Sequence, residues 1–349
     1  MLAGSGVAAI ALGSRPLLAK SAEAVSTPNA QMQAVLDEFA SFNAPPIQQL
    51  SPMNARNAPT IAHAVMGVLA KRGEPALEFV GDISHILIPG PEGDLLARVY
   101  QPSGEGPFPV LVYFHGGGWV IANLDTYDSS CRALTNAANC IVISVAYRQA
   151  PEHKFPAAAE DAYAATQWAI ANADQINGDP NRVAVGGESA GGNLAAVTCL
   201  MARDRGGRIP VHQLLIYPIT NYAFDTPSYQ ENANAQPLNK ALMMWFWSQY
   251  LNSESDGSNP YASPLRAESL SGLPPATAIA AQIDPLRSEG QAYAKRLSEA
   301  GVSVKATNYN GVTHEFFGTG AVVDKAKQAV KEAAAGLQSG FLGNTRLSS

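Results

Sequence analysis

Along the chain, hydrophobic positions gather into short unbroken runs, separated by longer Ala-rich stretches of helical character. The runs fall at 83–88, 95–100, 110–115, 140–147, 183–186, 214–218, 277–282 and 304–309. Runs such as PVLVYF and CIVISVAY show no polar alternation, which suits strands buried on both faces of a parallel sheet. Helical stretches lie between them near 126–138, 157–173, 190–204, 287–300 and 321–338. This alternation predicts an open α/β architecture: a mostly parallel eight-stranded sheet flanked by helices. Only the turn PEGD separates the first two runs, so they are expected to form an antiparallel hairpin.

Two segments break the rhythm. One is 30–75, with helical patterns at 31–41 and 57–71. The other is 222–256, which carries Met243, Met244, Trp245, Phe246, Trp247 and Tyr250. An insertion after the 214–218 run emerges at the C-terminal ends of the strands, where open sheets build their active sites. The expected organisation is therefore a helical cap from residues 26–80 and 222–256, over a catalytic domain of 81–221 and 257–349. Trp119, Met244, Trp245 and Phe246 are the candidate substrate-binding residues.

Residues 2–13, LAGSGVAAIALG, are apolar but too short to span a bilayer. Ala22-Glu23-Ala24 has the small-x-small pattern of an export cleavage site, yet no Lys or Arg precedes Arg15. Residues 1–25 thus read either as an export signal or as a buried, frayed or disordered N-terminal segment. Cytoplasmic and exported locations both stay open. No other stretch reaches the roughly 18 apolar residues of a membrane helix, so stable membrane insertion is not expected.

Composition narrows the function. The 349 residues are 46% hydrophobic and 15% charged, enough apolar material for a large core. Lys plus Arg number 23 against 29 Asp plus Glu, a net charge of −6. Nucleic acid is not an expected partner, because phosphate binding needs clustered positive charge. The cysteines, Cys131, Cys140 and Cys199, form no C-x-x-C and no disulfide framework; free, mostly buried thiols are expected, with a local Cys131–Cys140 pair as the alternative.

Candidate chemistry centres on GESAG at 187–191, preceded by the apolar run RVAVG and followed by a helical pattern. A tight strand-to-helix turn of this kind lifts a serine hydroxyl out of the sheet, and makes Ser189 the candidate nucleophile. Gly187 and Gly191 leave room where strand and helix close on each other. HGGGW at 115–119 follows the run PVLVYF. Glycines there let backbone N–H groups face a ligand, so Gly116 and Gly117, with Ala190 after the nucleophile, are the candidate oxyanion donors. His115, inside that loop, is expected to hold loop geometry. A serine needs a base. His314, just beyond the last run, is the candidate among six histidines. Asp284, where Pro285 ends the 277–282 run, is the candidate acid, in the chain order Ser, Asp, His. Glu289 is the alternative acid.

These pieces resemble the bacterial hormone-sensitive-lipase-like esterases of the α/β-hydrolase superfamily. The matching stretches are HGGGW, AYRQAPEHKFPAAAED at 146–161, GESAGGNLA at 187–195, DPLRSEG at 284–290 and THEF at 313–316, and the likeness covers about residues 80–340. The resemblance implies hydrolysis of a small-molecule carboxylic ester without cofactor or metal, a cap built from the two extra segments, and a homodimer paired through the edge strand nearest the C-terminus. Amide, carbamate and lactone hydrolysis use the same constellation, and a non-catalytic small-molecule receptor is a rival from another class. Two residues depart from the family pattern: Glu188, where Asp or Thr is common, and Glu315, where Gly is usual. Glu188 is expected to be solvated or ion-paired. Arg148 and Glu152 are expected to pair internally, with Glu160 and Asp161 opening a helix where acids suit its dipole.

Overall fold

The computed structural model describes residues 1, 2, 4, 26–75 and 78–343. The export reading of 1–25 lies almost wholly outside them. Among the described residues no helix is long and apolar enough to cross a membrane.

Eight strands form one sheet: β1 (Asp82–Gly90), β2 (Gly93–Gln101), β3 (Phe108–Phe114), β4 (Ile141–Val145), β5 (Gly178–Glu188), β6 (Gln213–Ile216), β7 (Ala276–Ile283) and β8 (Val304–Thr313). Their order is β1-β2-β4-β3-β5-β6-β7-β8. β2 pairs antiparallel with β1 and β4; every other pairing is parallel. The hairpin turns between Gly90 and Gly93, which face each other in register. The mostly parallel eight-stranded sheet expected from the apolar runs is what forms.

The helices are α1 (Ala30–Ser41), α2 (Pro52–Arg56), α3 (Ile61–Arg72), α4 (Asp128–Ala138), α5 (Ala157–Asn172), α6 (Ala190–Asp204), α7 (Pro227–Glu231), α8 (Lys240–Tyr250), α9 (Arg287–Glu299) and α10 (Asp324–Gly343). Strand alternation sends successive side chains to opposite faces. Val110, Val112 and Phe114 of β3 join the core shared with α5, α6 and α8, whereas Leu111 and Tyr113 join the one shared with α4 and α10. Burial on both faces is the reason these strands read as unbroken apolar runs. All three cysteines are buried and free.

The two segments outside the sheet rhythm meet over the C-terminal strand ends. α1 packs on α3, and α8 packs on the 3₁₀ turn Ile47–Gln49. α1 is capped by Asn29, whose side chain accepts the Met32 N–H at 2.9 Å, and the Asn29 N–H reaches the Gly311 carbonyl at 2.8 Å. α8 docks through stacked rings: Trp119 lies on Tyr250 with centroids 4.0 Å apart, beside Trp247 at 4.8 Å.

One expected ion pairing is corrected. Arg148 does not meet Glu152. It grips the fully buried Asp161 at 2.7 Å and reaches Glu92 at 2.5 Å. Glu152 pairs instead with Arg56 at 2.6 Å. Asp161 is therefore a buried counter-ion to Arg148, while Glu160 stands in the first turn of α5 as expected and pairs with Arg205 at 2.7 Å.

Candidate active site

Ser189 is held between β5 and α6 at φ 57°, ψ −117°, a conformation that L residues rarely adopt. Its N–H donates to the Ile216 carbonyl at 2.9 Å, and its own carbonyl accepts from Ile219 and Asn193. The turn needs its glycines. A methyl group at Gly187 or Gly191 would overlap the Phe114 carbonyl. The bend is fixed by backbone bonds and offers the hydroxyl to the space beyond the sheet.

His314 follows β8 and Asp284 follows β7, at adjacent strand ends. His314 Nε2 is 3.0 Å from Ser189 Oγ, and Nδ1 is 2.7 Å from Asp284 Oδ2. Asp284 is completely buried. Its other oxygen accepts the Leu286 N–H at 2.8 Å, which fixes the carboxylate toward the ring. Burial alone would push the His314 pKa down. The adjacent Asp284 charge and hydrogen bond, with Glu315 and Glu188 nearby, outweigh it and leave the imidazole above its usual 6.5. Glu289 stands apart from the ring: its Oε1 accepts the Thr220 and Asn221 N–H groups at 2.7 and 3.1 Å.

The loop after β3 brings Gly116 and Gly117 beside this group. Gly117 has φ 94° and Gly118 φ 58°, both open to glycine at little cost. Among the described residues, the N–H groups of Gly116, Gly117 and Ala190 donate no hydrogen bond. The first N–H groups of a helix such as α6 have no partner within it. His115 is buried, bonds the Gly116 carbonyl through Nδ1 at 2.7 Å and stacks on Tyr147 at 4.4 Å. Burial lowers its pKa to about 4, so it is a neutral brace for the loop.

A cavity of about 80 Å³ opens onto Ser189 and His314, walled by Phe39, Ile47, Leu238, Leu242 and Phe246. Both non-sheet segments thus contribute to its wall. Phe246 is the one candidate substrate-binding residue that lines it. Trp119 is fully buried in the ring stack under α8. Met244 faces outward at 49% exposure, and Trp245 packs on Phe246 outside the cavity. On a helix of period 3.6, Leu242 and Phe246 share the inward face, which the run of aromatic residues concealed.

Glu188 corrects a further expectation. It is neither solvated nor ion-paired. It is buried behind the site, where the Tyr113 and Tyr217 hydroxyls donate to its two oxygens. Burial, then the Glu315 charge, raises its pKa to about 7. Glu315 lines the cavity and accepts the Tyr127 hydroxyl at 2.6 Å; burial raises its pKa too. Reasoning from sequence missed Tyr113, Tyr127 and Tyr217, whose partners lie far along the chain. Among the described residues no cluster of His, Cys, Asp or Glu is arranged to hold a metal ion.

Known proteins resemble the chain in sequence and in fold. Residues 111–318 match the family model described as alpha/beta hydrolase fold. The chain is 49% identical over 241 residues to the carboxylic ester hydrolase LipN of Mycobacterium tuberculosis, covering 67% of this chain and 64% of that protein's length. It is 36% identical over 240 residues to an ethyl acetate hydrolase of Pseudomonas putida, covering 68% and 76%. Among solved structures, the hyperthermophilic esterase from the archaeon Pyrobaculum calidifontis superposes with a TM-score of 0.82 at 40% identity, covering 90% of this chain and 98% of that one. The chain belongs to the alpha/beta hydrolase fold family, and the resemblance drawn from its motifs to the hormone-sensitive-lipase-like branch holds.

Proposed function

We propose that the protein is a serine carboxylesterase acting on short- to medium-chain acyl esters. One observation carries the reading: an unbroken hydrogen-bonded chain from Asp284 through His314 to the hydroxyl of the strained Ser189. The names of the relatives, carboxylic ester hydrolase and ethyl acetate hydrolase, support the bond type.

In this reading His314 takes the Ser189 proton as Oγ attacks the ester carbonyl carbon. The N–H groups of Gly116, Gly117 and Ala190 hold the oxyanion; losing one such donor typically costs roughly a hundred- to a thousandfold in rate. The imidazolium gives its proton to the departing alcohol oxygen and leaves an acyl-Ser189. Water then enters, yields a proton to His314 and attacks the acyl carbon, and Oγ recovers its proton as the acid departs. Asp284 keeps the imidazole oriented and stabilises its charged form. Residues 26–80 and 222–256 serve as the cap. Their apolar wall around some 80 Å³ favours short acyl groups.

The test is hydrolysis of p-nitrophenyl esters, from acetyl to long acyl chains, by wild type and Ser189→Ala. Wild type is expected to cleave the short chains fastest, and the variant to lose roughly 10⁴-fold or more. A wild type inert on every ester would remove the esterase reading and direct the site to amides or to ligand binding.

A further inference from the structure

Glu315 takes no part in the reaction as written, yet the chain holds it at a cost. It has φ 68°, the left-handed region where glycine is free and a β-carbon is penalised. A non-glycine residue held there is strained, and such outliers collect where a side chain has work to do. Among the described residues, its side chain is the only carboxyl group lining the cavity that holds Ser189 and His314.

The distances say where it acts. Glu315 Oε1 accepts the Tyr127 hydroxyl at 2.6 Å and lies 3.9 Å from His314 Nε2. Nε2 in turn lies 3.0 Å from Ser189 Oγ. A separation of 3.9 Å is too long for a direct hydrogen bond and fits a single bridging oxygen. In acylation that place belongs to the leaving oxygen of the ester, which brings no proton for Glu315. In deacylation it belongs to the attacking molecule. Water has two protons: one for Nε2, one for the carboxyl group. An alcohol has only the one that His314 must take, and its carbon substituent would strip water from the carboxyl group without replacing the lost hydrogen bond.

We propose that Glu315 selects water over alcohols as the nucleophile that resolves the acyl-enzyme. The proposal rests on the esterase reading above. His314 Nε2 takes one proton as the water oxygen bonds to the acyl carbon, while Glu315 accepts a hydrogen bond from the other and does not remove it. The carbon–Oγ bond then breaks, Ser189 recovers the proton from Nε2, and the second proton leaves on the carboxylic acid product.

The experiment is a partition measurement on the full chain, with p-nitrophenyl acetate in buffer containing methanol. Released p-nitrophenol counts acylations; acetate and methyl acetate count the two fates of the acyl-enzyme. The ratio of methyl acetate to acetate should rise on the order of tenfold in Glu315→Ala and Glu315→Gly, the worth of about one hydrogen bond. Glu315→Gln, whose amide oxygen still accepts, should stay within about threefold of wild type. The glycine variant relieves the backbone strain and so guards against loss of folding. An unchanged ratio in both the Ala and Gly variants overturns the proposal whatever the total rate, since altered loop packing slows both nucleophiles alike. A wild type that releases no p-nitrophenol overturns the esterase reading itself, and this proposal with it.

Discussion

His314 carries two opposed influences. Its burial favours the neutral ring, and Asp284 at 2.7 Å favours the charged one. The second wins, so the folded imidazole holds its proton to a pH above 6.5. A base must be neutral to accept a proton, so activity should rise with pH through an inflection above 6.5 rather than at it. Asp284→Asn should lower kcat roughly 10⁴-fold and move that inflection to lower pH, because burial is then opposed only by the Glu315 and Glu188 charges. A pH profile of kcat/KM for both proteins checks this; an inflection that does not move would remove Asp284 as the orienting acid. At this scale, legibility followed chain distance. Ser189, Gly116 and Gly117 sit in contiguous motifs. Asp284 and His314 each follow a strand whose end is visible in the hydrophobic pattern. Glu188 was misread because its donors, Tyr113 and Tyr217, are 75 and 29 residues away. Arg148 was misread because a pairing four residues away competes with one 13 residues away in sequence, and only folding decides between them.

Among the elements, strands with two buried faces declared themselves most clearly. All eight expected runs became strands, with ends displaced by a few residues. The apolar run shows β5 only from 183, whereas pairing of Phe108 with Gly178 carries the strand back to Gly178. The short helices α2 and α7 were missed: five residues show no period, although each has a capping Ser51 or Thr226 followed by proline. The longer α8 sets the depth of the cavity. Leu242 lines both the cavity at Ser189 and a neighbouring cleft of about 490 Å³ that also touches Phe39, Ile47 and Pro237. Leu242→Ala should therefore join the two spaces. The kcat/KM ratio of p-nitrophenyl octanoate to acetate is expected to rise by roughly tenfold, a gain of one to two buried methylene groups at about 0.8 kcal/mol each. Stability should fall by about 2–5 kcal/mol. A ratio equal to wild type in a folded variant would show that the acyl chain lies elsewhere.

Over the whole molecule, the sheet positions Ser189, Asp284 and His314, while the helical segments outside it depend on a few long-range ties. Arg56, at the end of α2, is one of them. Its Nε donates to the Val120 carbonyl at 2.8 Å, just beyond the glycine loop, and one Nη donates to the Ala150 carbonyl at 2.9 Å. The same fork holds Glu152 through both carboxylate oxygens. The Glu152 pair is half-exposed and contributes little, because solvent screens it. The carbonyls matter more, since Val120 and Ala150 are fully buried and without Arg56 lose these donors. Each buried acceptor left unpaired costs about 1–3 kcal/mol. Arg56→Ala should then loosen residues 42–60 from the loop carrying Gly116 and Gly117. Limited proteolysis is expected to cut that segment faster than in wild type, and kcat/KM on short esters to fall by roughly tenfold, about the worth of one hydrogen bond. Arg56→Lys should not restore either property, because a single ammonium cannot reach two carbonyls and a carboxylate in fixed directions. If the Ala variant keeps both its protease resistance and its kcat/KM, the N-terminal helices are held by their apolar contacts with α8 and β8, and the loop carrying Gly116 and Gly117 keeps its shape without them.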